Sequence, residues 1–291
     1  MSEDPRNGKA TVRFHVAPDG SDSADGSEAT PFATLFRAQE AVCERLAETS
    51  EQNVCVFLRG GTHRLDRTFQ LGLADSPAPG YTIAYRSFAG EEPVLSAGQP
   101  VTGWRRAEET PPHLPAAAEG NVWVAELPAS VSHCTALYKG KKRLSRARGR
   151  GFRVTVDESS RGSTGSSTMT VPPGAIRNWP DLHSAEVVVI PRNPWTMNIL
   201  PVESVDESTG RVHLSVPCTY PLGPSRQDES VWVENTLAVL DTPGSWVFDK
   251  RENMLYYWPE EEPPGDDIVA PARTELVRVE GGIDYAGPED L

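Results

Sequence analysis

The sequence predicts an all-β chain that carries one α-helix. Its 24 glycines and 26 prolines in 291 residues are many for a helical protein and suit a chain with frequent turns. Short apolar segments recur at intervals of roughly 10–13 residues, with Gly, Pro, Asp and Ser between them. This spacing allows a sandwich, a barrel or a solenoid. Apolar runs without strict alternation favour the solenoid, because parallel strands share a continuous core.

The first hundred residues hold the helix. A strand at residues 14–16 leads into the polar loop 18–26. Thr30 is placed to act as the helix N-cap, and Pro31 stands at the first helical position, where its missing N–H costs nothing. One apolar face follows from the spacing of Phe32, Leu35, Ala38, Val42 and Leu46. The strands predicted after the helix are residues 54–58, 68–71, 81–86 and 94–96.

A second group of strand candidates extends from residue 100 to about residue 264. Loops that contain Pro and Gly separate them, as in an antiparallel sandwich or barrel. The candidates are residues 121–125, 135–138, 186–190, 211–216 and 231–234. Residues 246–249 and 254–259 read as a hairpin that turns at 251–253, and the acidic segment 260–264 reads as an exposed linker. Residues 267–271 and 275–281 are predicted as strands that enter further coils.

Four phrases carry a family resemblance. They are FHVAPDGSDSADGSEATPFATLFRAQEAV, VFLRGGTHRLDRTFQL, YTIAYRSFAGEEPVLSAGQPVTGW and LDTPGSWVFDKRENMLYYWP. In this order they resemble the N-terminal half of right-handed parallel β-helix proteins. That group includes β-helix glycoside hydrolases of the family 141 α-fucosidase/xylanase type and the family 120 xylosidase type. The shared motifs are a cap, glycine turns and strand stops, so they identify a scaffold and not a substrate.

The resemblance implies a division of the chain into three parts. Residues 1–99 would form the N-terminal cap and first coils of a right-handed parallel β-helix, with one capping α-helix. Residues 100–264 would form an inserted antiparallel β-sandwich or barrel-like domain. Residues 265–291 would begin the main β-helix, which is truncated at the C-terminus. An unfinished end exposes an apolar face and strand edges, so self-association is expected there.

Charge and composition limit the partners. A formal net charge of −13 disfavours a surface built to hold nucleic acid or anionic lipid. No apolar run approaches the ~20 residues of a membrane span, and no signal peptide is recognised as written. The compartment therefore stays open between the cytoplasm and export with a leader removed. The four cysteines are far apart and are expected to be free thiols.

No catalytic residue, metal ligand or cofactor is predicted within this chain. Glycoside hydrolysis needs two carboxyl groups across the scissile bond, and none of the 41 acidic residues is singled out. By resemblance, the catalytic carboxylates lie on later coils. Asp19, Asp22 and Asp25 invite a calcium site, but their spacing departs from an EF-hand loop, and side-chain turns are the favoured role.

Three residues are candidates for substrate binding. The basic segment 139–151 reads as a polyanion patch or as a hairpin turn at 139–141 followed by a solvated strand. The resemblance adds a third role, in which Arg146 and Arg148 face a substrate cleft and bind sugar hydroxyls or a uronate. Trp195 lies in a loop, where its ring would stack on a sugar or pack in the core.

The sequence therefore predicts the N-terminal part of a carbohydrate-active β-helix protein. A glycoside hydrolase that acts on an oligo- or polysaccharide, inactive as this chain alone, is the leading hypothesis. The alternatives are a non-catalytic carbohydrate-binding or structural module and a polysaccharide lyase. No nucleic acid and no membrane are expected as partners.

Overall fold

The computed structural model describes residues 11–155, 165–190, 195–222, 230–261 and 263–281. Within them it has one α-helix, α1 (Leu35–Glu48). The strands are β1 (Thr11–Val16), β2 (Asn53–Leu58), β3 (Gly61–Arg64), β4 (Phe69–Leu71), β5 (Ile83–Ser87), β6 (Pro93–Ser96), β7 (Gly98–Pro100), β8 (Arg105–Arg106), β9 (Trp123–Glu126), β10 (Tyr138–Lys139), β11 (Lys142–Arg143), β12 (Ser145–Arg146), β13 (Thr168–Thr170), β14 (Glu186–Val189), β15 (Asn198–Asp206), β16 (Arg211–Leu214), β17 (Val231–Glu234), β18 (Ser245–Asp249), β19 (Met254–Tyr257), β20 (Ile268–Pro271) and β21 (Val277–Val279).

The prediction of a mainly β chain with one α-helix is confirmed. No barrel closes among the described strands, and a right-handed β-helix stays a prediction. The chain divides into two compact units. The first consists of residues 1–98 and 271–291, and the second of residues 99–270.

The first unit contains only parallel strand pairs among its described residues. β1, β2 and β5 form a three-stranded sheet, β3 pairs with β6, and β4 pairs with β21. α1 buries Leu35, Ala38 and Val42 in one core with Val54 and Val56 of β2. This packing explains why β2 reads as an apolar run, since most of its residues are buried.

The helix starts later than the sequence predicts. Its N-cap is Thr34, not Thr30, and the Thr34 hydroxyl accepts a hydrogen bond from the Arg37 amide. The Asp22 carboxylate accepts from the amides of Ala33 and Thr34 and from the Thr34 hydroxyl, each at 2.9 Å. Because Asp22 holds these groups outside the helix, the prediction of Pro31 as its first residue is wrong.

The loop before the helix is built from side-chain turns, as predicted. The Asp25 carboxylate accepts from the Ser27 amide at 3.0 Å and from the Thr30 hydroxyl at 2.5 Å. These hydrogen bonds, first that of the Thr30 hydroxyl and then those of Ser27, lower the pKa of Asp25 to about 2. Asp22 and Asp25 are thus engaged by the loop's own donors.

The second unit contains two five-stranded sheets. Their strand orders are β12-β18-β19-β9-β8 and β13-β16-β15-β14-β17. Neighbouring strands run antiparallel except β12 and β18, which are parallel. The hairpin predicted around residues 251–253 is confirmed as β18 and β19, with Asn253 at a φ of 53° in its turn.

The strand predicted at residues 267–271 differs from expectation. β20 pairs antiparallel with β10 in a four-stranded sheet of order β11-β10-β20-β7, so it does not extend a parallel coil. β21 is the later strand that pairs in parallel, with Val277 opposite Phe69 of β4.

Residues 145–155, here the crossing segment, connect both five-stranded sheets of the second unit. Arg146 pairs with Trp246 of β18. Arg148 then forms an antiparallel bridge with Glu234 of β17, and residue 152 bridges to residue 231 of the same strand. Because alternate residues of an extended chain share a face, Arg146 and Arg148 lie on one side, while Ala147 between them is buried in a separate core.

A buried asparagine ties the same two sheets together. The Asn235 side chain donates to the carbonyls of Ser184 at 2.8 Å and Phe248 at 2.9 Å, and accepts from the Phe248 amide at 2.8 Å. Asn235 is fully buried, and its φ of 59° is left-handed. Asparagine tolerates this backbone, and here its side chain satisfies buried groups of β18 and of the turn before β14.

Gly26 provides a test of the loop packing in the first unit. Its φ is +74°, and an added Cβ would lie 2.2 Å from Cε2 of the buried Phe32. We expect Gly26→Ala to lower the free energy of unfolding by about 3 kcal/mol, measured by urea denaturation. Gly90→Ala is the matched control, since Gly90 has a φ of +80° and nothing within 4 Å of its added Cβ. Equal losses in the two variants would contradict the packing argument.

Candidate functional site

A cavity of about 750 Å³ lies within the second unit. Residues of both five-stranded sheets line it, including Arg146, Glu186, Ile199, Glu234 and Trp246. The crossing segment adds Arg148, so both arginines predicted from the sequence reach the same cavity. The volume falls in the range of small-molecule and oligomer-fragment sites, roughly 300–1,000 Å³.

Strand register explains why charged residues line this cavity. Glu186 of β14 pairs with Glu234 of β17, and Arg148 bridges to Glu234. Residues paired across neighbouring strands share a face of the sheet. The other face carries the apolar core of the sheet, to which Val187, Val189, Leu200, Val231 and Val233 belong.

Three charged residues form a partly buried ion network, consisting of Arg146, Glu186 and Lys250. Arg146 Nη1 lies 2.6 Å from Glu186 Oε2, and Lys250 Nζ lies 3.2 Å from Glu186 Oε1. Arg146 Nη1 is also 3.9 Å from Oε2 of Glu234. The side chains of Arg146 and Glu186 are only 13% and 9% exposed. Charges at this depth persist because each has an opposite partner.

The ion network decides the ionisation of Glu186. Burial opposes its charge, but the hydrogen bonds and charges of Arg146 and Lys250 outweigh burial and hold the pKa of Glu186 below its ordinary value. Glu186 is therefore a carboxylate at neutral pH. A general acid needs a raised pKa, so Glu186 suits an anchoring role and not proton donation.

The two predicted arginines have different surroundings. Arg146 binds Glu186, and its Nε and Nη2 are buried without a hydrogen-bond partner among the described residues. Arg148 is exposed, and its Cζ lies 3.6 Å from the centre of the Trp232 ring. No described residue forms an ion pair with its guanidinium group. Arg146 thus belongs to the framework, whereas Arg148 offers unused donors to the cavity.

Trp195 is 78% exposed, so the core-packing alternative is wrong. It does not line the cavity itself. Exposed Met197 and Ile199 alternate after it with the buried Asn198 and Leu200, and Ile199 does line the cavity. An exposed apolar row therefore leads along the chain from Trp195 to the cavity edge.

The sequence alone does not single out three residues of this site, Glu186, Glu234 and Trp232. Each acid stands at one end of an apolar strand, in Glu-Val-Val-Val and Val-Trp-Val-Glu. A single charge on the face opposite a core was the available signal. The register that brings the two strands together spans more than forty intervening residues, and nothing local specifies it.

The basic segment is partly explained by local structure. β10 and β11 form the hairpin predicted at residues 139–141, with Gly140 at a φ of 57°. Lys142 at its end pairs with the exposed Glu260 at 2.7 Å.

Of the described residues, no three His, Cys, Asp or Glu side chains cluster to hold a metal ion, and no helix is long and apolar enough for a membrane span.

Comparison with known proteins supports a glycoside hydrolase-like fold. Neither a family model nor a curated protein matches the sequence. A solved structure named "Glycoside hydrolase" matches 94% of this chain with a TM-score of 0.75 and 23% identity. A second, "The complex structure of XylC with xylose", has a TM-score of 0.35 and 16% identity and covers 94% of this chain, too weak a match to indicate a shared fold. The chain spans 48% of the first structure's chain and 34% of the second's.

The ion network generates a pH-dependent stability prediction. Glu186→Gln leaves Arg146 and Lys250 without their shared carboxylate, and we expect it to lower the free energy of unfolding at pH 7 by about 3 kcal/mol. The folded-state pKa of Glu186 is lowered, so its contribution is complete above its ordinary value of 4.5 and is lost as pH falls through the folded value. The cost of the substitution should therefore shrink in acid.

Urea unfolding at a series of pH values measures this difference. Glu260→Gln is the matched control, because Glu260 is an exposed carboxylate in the same unit with one lysine partner. The control should change stability little at any pH. A Glu186→Gln cost that is small, or independent of pH, would contradict the ion network.

Proposed function

We propose that this chain is the carbohydrate-binding N-terminal part of a right-handed parallel β-helix protein of the glycoside hydrolase family 141 or 120 type. Parallel pairing in the first unit supports the β-helix. β2, β3 and β4 follow one another along the chain, and each has a parallel partner, in β5, β6 and β21. Successive coils of a solenoid produce such pairing. The fold likeness to the structure named "Glycoside hydrolase" supports the class.

The cavity of the second unit is the proposed sugar site, and it is the observation that carries this proposal. Sugar hydroxyl groups both donate and accept hydrogen bonds, so they suit a lining that contains guanidinium and carboxylate groups together. Arg148, Glu234 and Asp241 supply both kinds of group. Ile199, which lines the cavity and is 53% exposed, adds apolar surface for the C–H face of a sugar. Trp195 would stack on a sugar beyond the cavity edge.

No catalytic pair is assigned in this chain. Glu186 and Glu234 both lie beside Arg146, and Glu186 is held ionised, which leaves it unsuited to protonate a leaving group. We propose that the catalytic carboxylates lie on later coils, as the family resemblance implies; this chain spans 48% of the structure named "Glycoside hydrolase". A non-catalytic binding module is the alternative, and it shares the cavity but needs no catalytic partner.

Sugar binding in the cavity is tested by blocking it. Ser145 lines the cavity and is exposed, so Ser145→Tyr places a ring in the space a sugar would occupy. We expect the wild-type chain to bind plant or microbial polysaccharides in affinity electrophoresis and calorimetry. The Ser145→Tyr variant should lose at least about tenfold in affinity, because burial of the sugar face is prevented.

Ser87→Tyr is the matched control, since Ser87 is an exposed strand serine in the other unit. It should bind like the wild type. Trp195→Ala in the same titration should weaken binding of long chains more than short ones, and Trp195→Phe should restore part of the loss. Equal binding by Ser145→Tyr and wild type would place the sugar outside the cavity.

Turnover separates the enzymatic proposals. Aryl glycosides report hydrolysis, and uronate polymers report lyase cleavage through the absorbance of the unsaturated product. We propose that this chain alone is inactive on both. Hydrolysis abolished by Glu234→Gln would overturn that proposal and move the catalytic carboxylates into the cavity.

A further inference from the structure

We infer that the cavity takes an acidic sugar, and that Arg148 holds the carboxylate of a uronate. This inference rests on the proposed function and deepens it, because it names the substrate class and the residue that selects it. Four observations carry it: a stacked guanidinium group, the absence of an ionic partner for it among the described residues, the pairing of the neighbouring carboxylates, and the size of the cavity.

Trp232 holds the Arg148 side chain in a fixed orientation. The guanidinium Cζ lies 3.6 Å from the ring centre, which places the planar group against the indole. The indole is itself fixed, because its Nε1 donates to Glu234 Oε1 at 2.7 Å. A guanidinium group that stacks through its face keeps the N–H groups at its edge available. Stacking thus orients the donors of Arg148 before a ligand arrives.

The remaining charges of the cavity are largely committed. Glu186 is paired with Arg146 and Lys250, and Glu234 accepts from Trp232 and lies 3.9 Å from Arg146. Arg143 and Arg148 line the cavity, and neither forms an ion pair with a described carboxylate. Asp241 is the exposed acid of the lining; it accepts from the Thr242 hydroxyl and has no ion pair among the described residues. Two arginines and one acid of the lining are thus without an ionic partner in the described part of the chain, and the uncommitted charge is net positive.

The uncommitted charge at the cavity is opposite in sign to the net charge of the whole chain. The protein carries a formal net charge of −13, so a long, densely charged polyanion meets repulsion over most of its surface. A uronate adds one carboxylate per ring and keeps the hydroxyl groups and apolar face of a sugar. Carboxylate and guanidinium groups pair through two parallel hydrogen bonds, which a neutral sugar cannot form.

A pair of ligands that differ at the carboxyl group, one ionised and one esterified, tests this inference. One ligand is a short oligogalacturonate, and the other is the same oligomer with its carboxylates methyl-esterified. Calorimetry at pH 7 should show the acid form binding about tenfold tighter or more to the wild-type chain, since charge-assisted bonds to Arg148 are lost in the ester. Arg148→Gln should bring the two affinities close to equal.

Two further variants separate charge from stacking and from folding. Arg148→Lys keeps the positive charge but loses the planar fork, so it should retain only part of the acid preference. Arg106→Gln is the matched control, because Arg106 also lies over a tryptophan, with its Cζ 5.5 Å from the ring centre of Trp123, but outside the cavity lining. It should leave the preference unchanged. Urea unfolding of each variant shows whether it is folded.

The outcomes distinguish this inference from the proposed function. Equal binding of acid and ester by the wild type, or a preference that survives Arg148→Gln, would overturn the uronate assignment. If neutral polysaccharides still bind and Ser145→Tyr still blocks them, the proposed function survives that result. If no carbohydrate of either kind binds, both fail. Binding of single-stranded DNA in place of the oligogalacturonate would assign the cavity's arginines to a different polyanion.

Discussion

The ion pair between Arg146 and Glu186 is the interaction on which the second unit's site depends. It joins one five-stranded sheet to the other at a depth where an unpaired charge is costly. Lys250 completes the network by reaching the second oxygen of Glu186. Because side chains alternate along the extended crossing segment, fixing Arg146 also fixes Arg148 on the same side. Ala147 packs into the core on the opposite side.

The two arginines show how one short sequence supplies both support and function. Arg146, which is mostly buried and paired with Glu186, supports the structure of the site. Arg148, two residues later, is exposed and stacked on Trp232, and ligand binding is proposed for it. Asn235 directly follows β17, and its side-chain amide bonds to Phe248 of β18 and to the Ser184 carbonyl before β14, which connects these elements near the site. A binding group on rigid strands loses little freedom when a ligand arrives, which favours affinity.

Local sequence signals predicted the elements that depend on local physics. The apolar run of β2 and the three- and four-residue spacing of α1 both gave elements that the structure contains. The predicted helix start is wrong because the Asp22 carboxylate, distant in sequence, accepts hydrogen bonds from the amides of Ala33 and Thr34. A side chain 12 residues before the N-cap supplies these hydrogen bonds, so the residues directly beside the helix do not indicate where it starts.

The site was predictable only in part. Arg146 and Arg148 stand out as basic residues in an acidic chain, but their different roles come from Glu186 and Trp232, which reach them through strand pairing. Exposure of Trp195 could not be read from its neighbours either. The buried Asn198, which accepts from the Thr219 amide at 3.1 Å, sets which residues of this stretch face outward.

The cavity lined by Arg148, Glu186 and Trp246 is the proposed sugar site. A crystal structure of the chain with an oligogalacturonate bound tests this proposal. We expect electron density for a sugar ring inside the cavity, with its carboxylate within hydrogen-bond distance of the Arg148 guanidinium group and the Arg146–Glu186 pair intact. A sugar bound in the first unit, or in the cavity with its carboxylate turned away from Arg148, would contradict it.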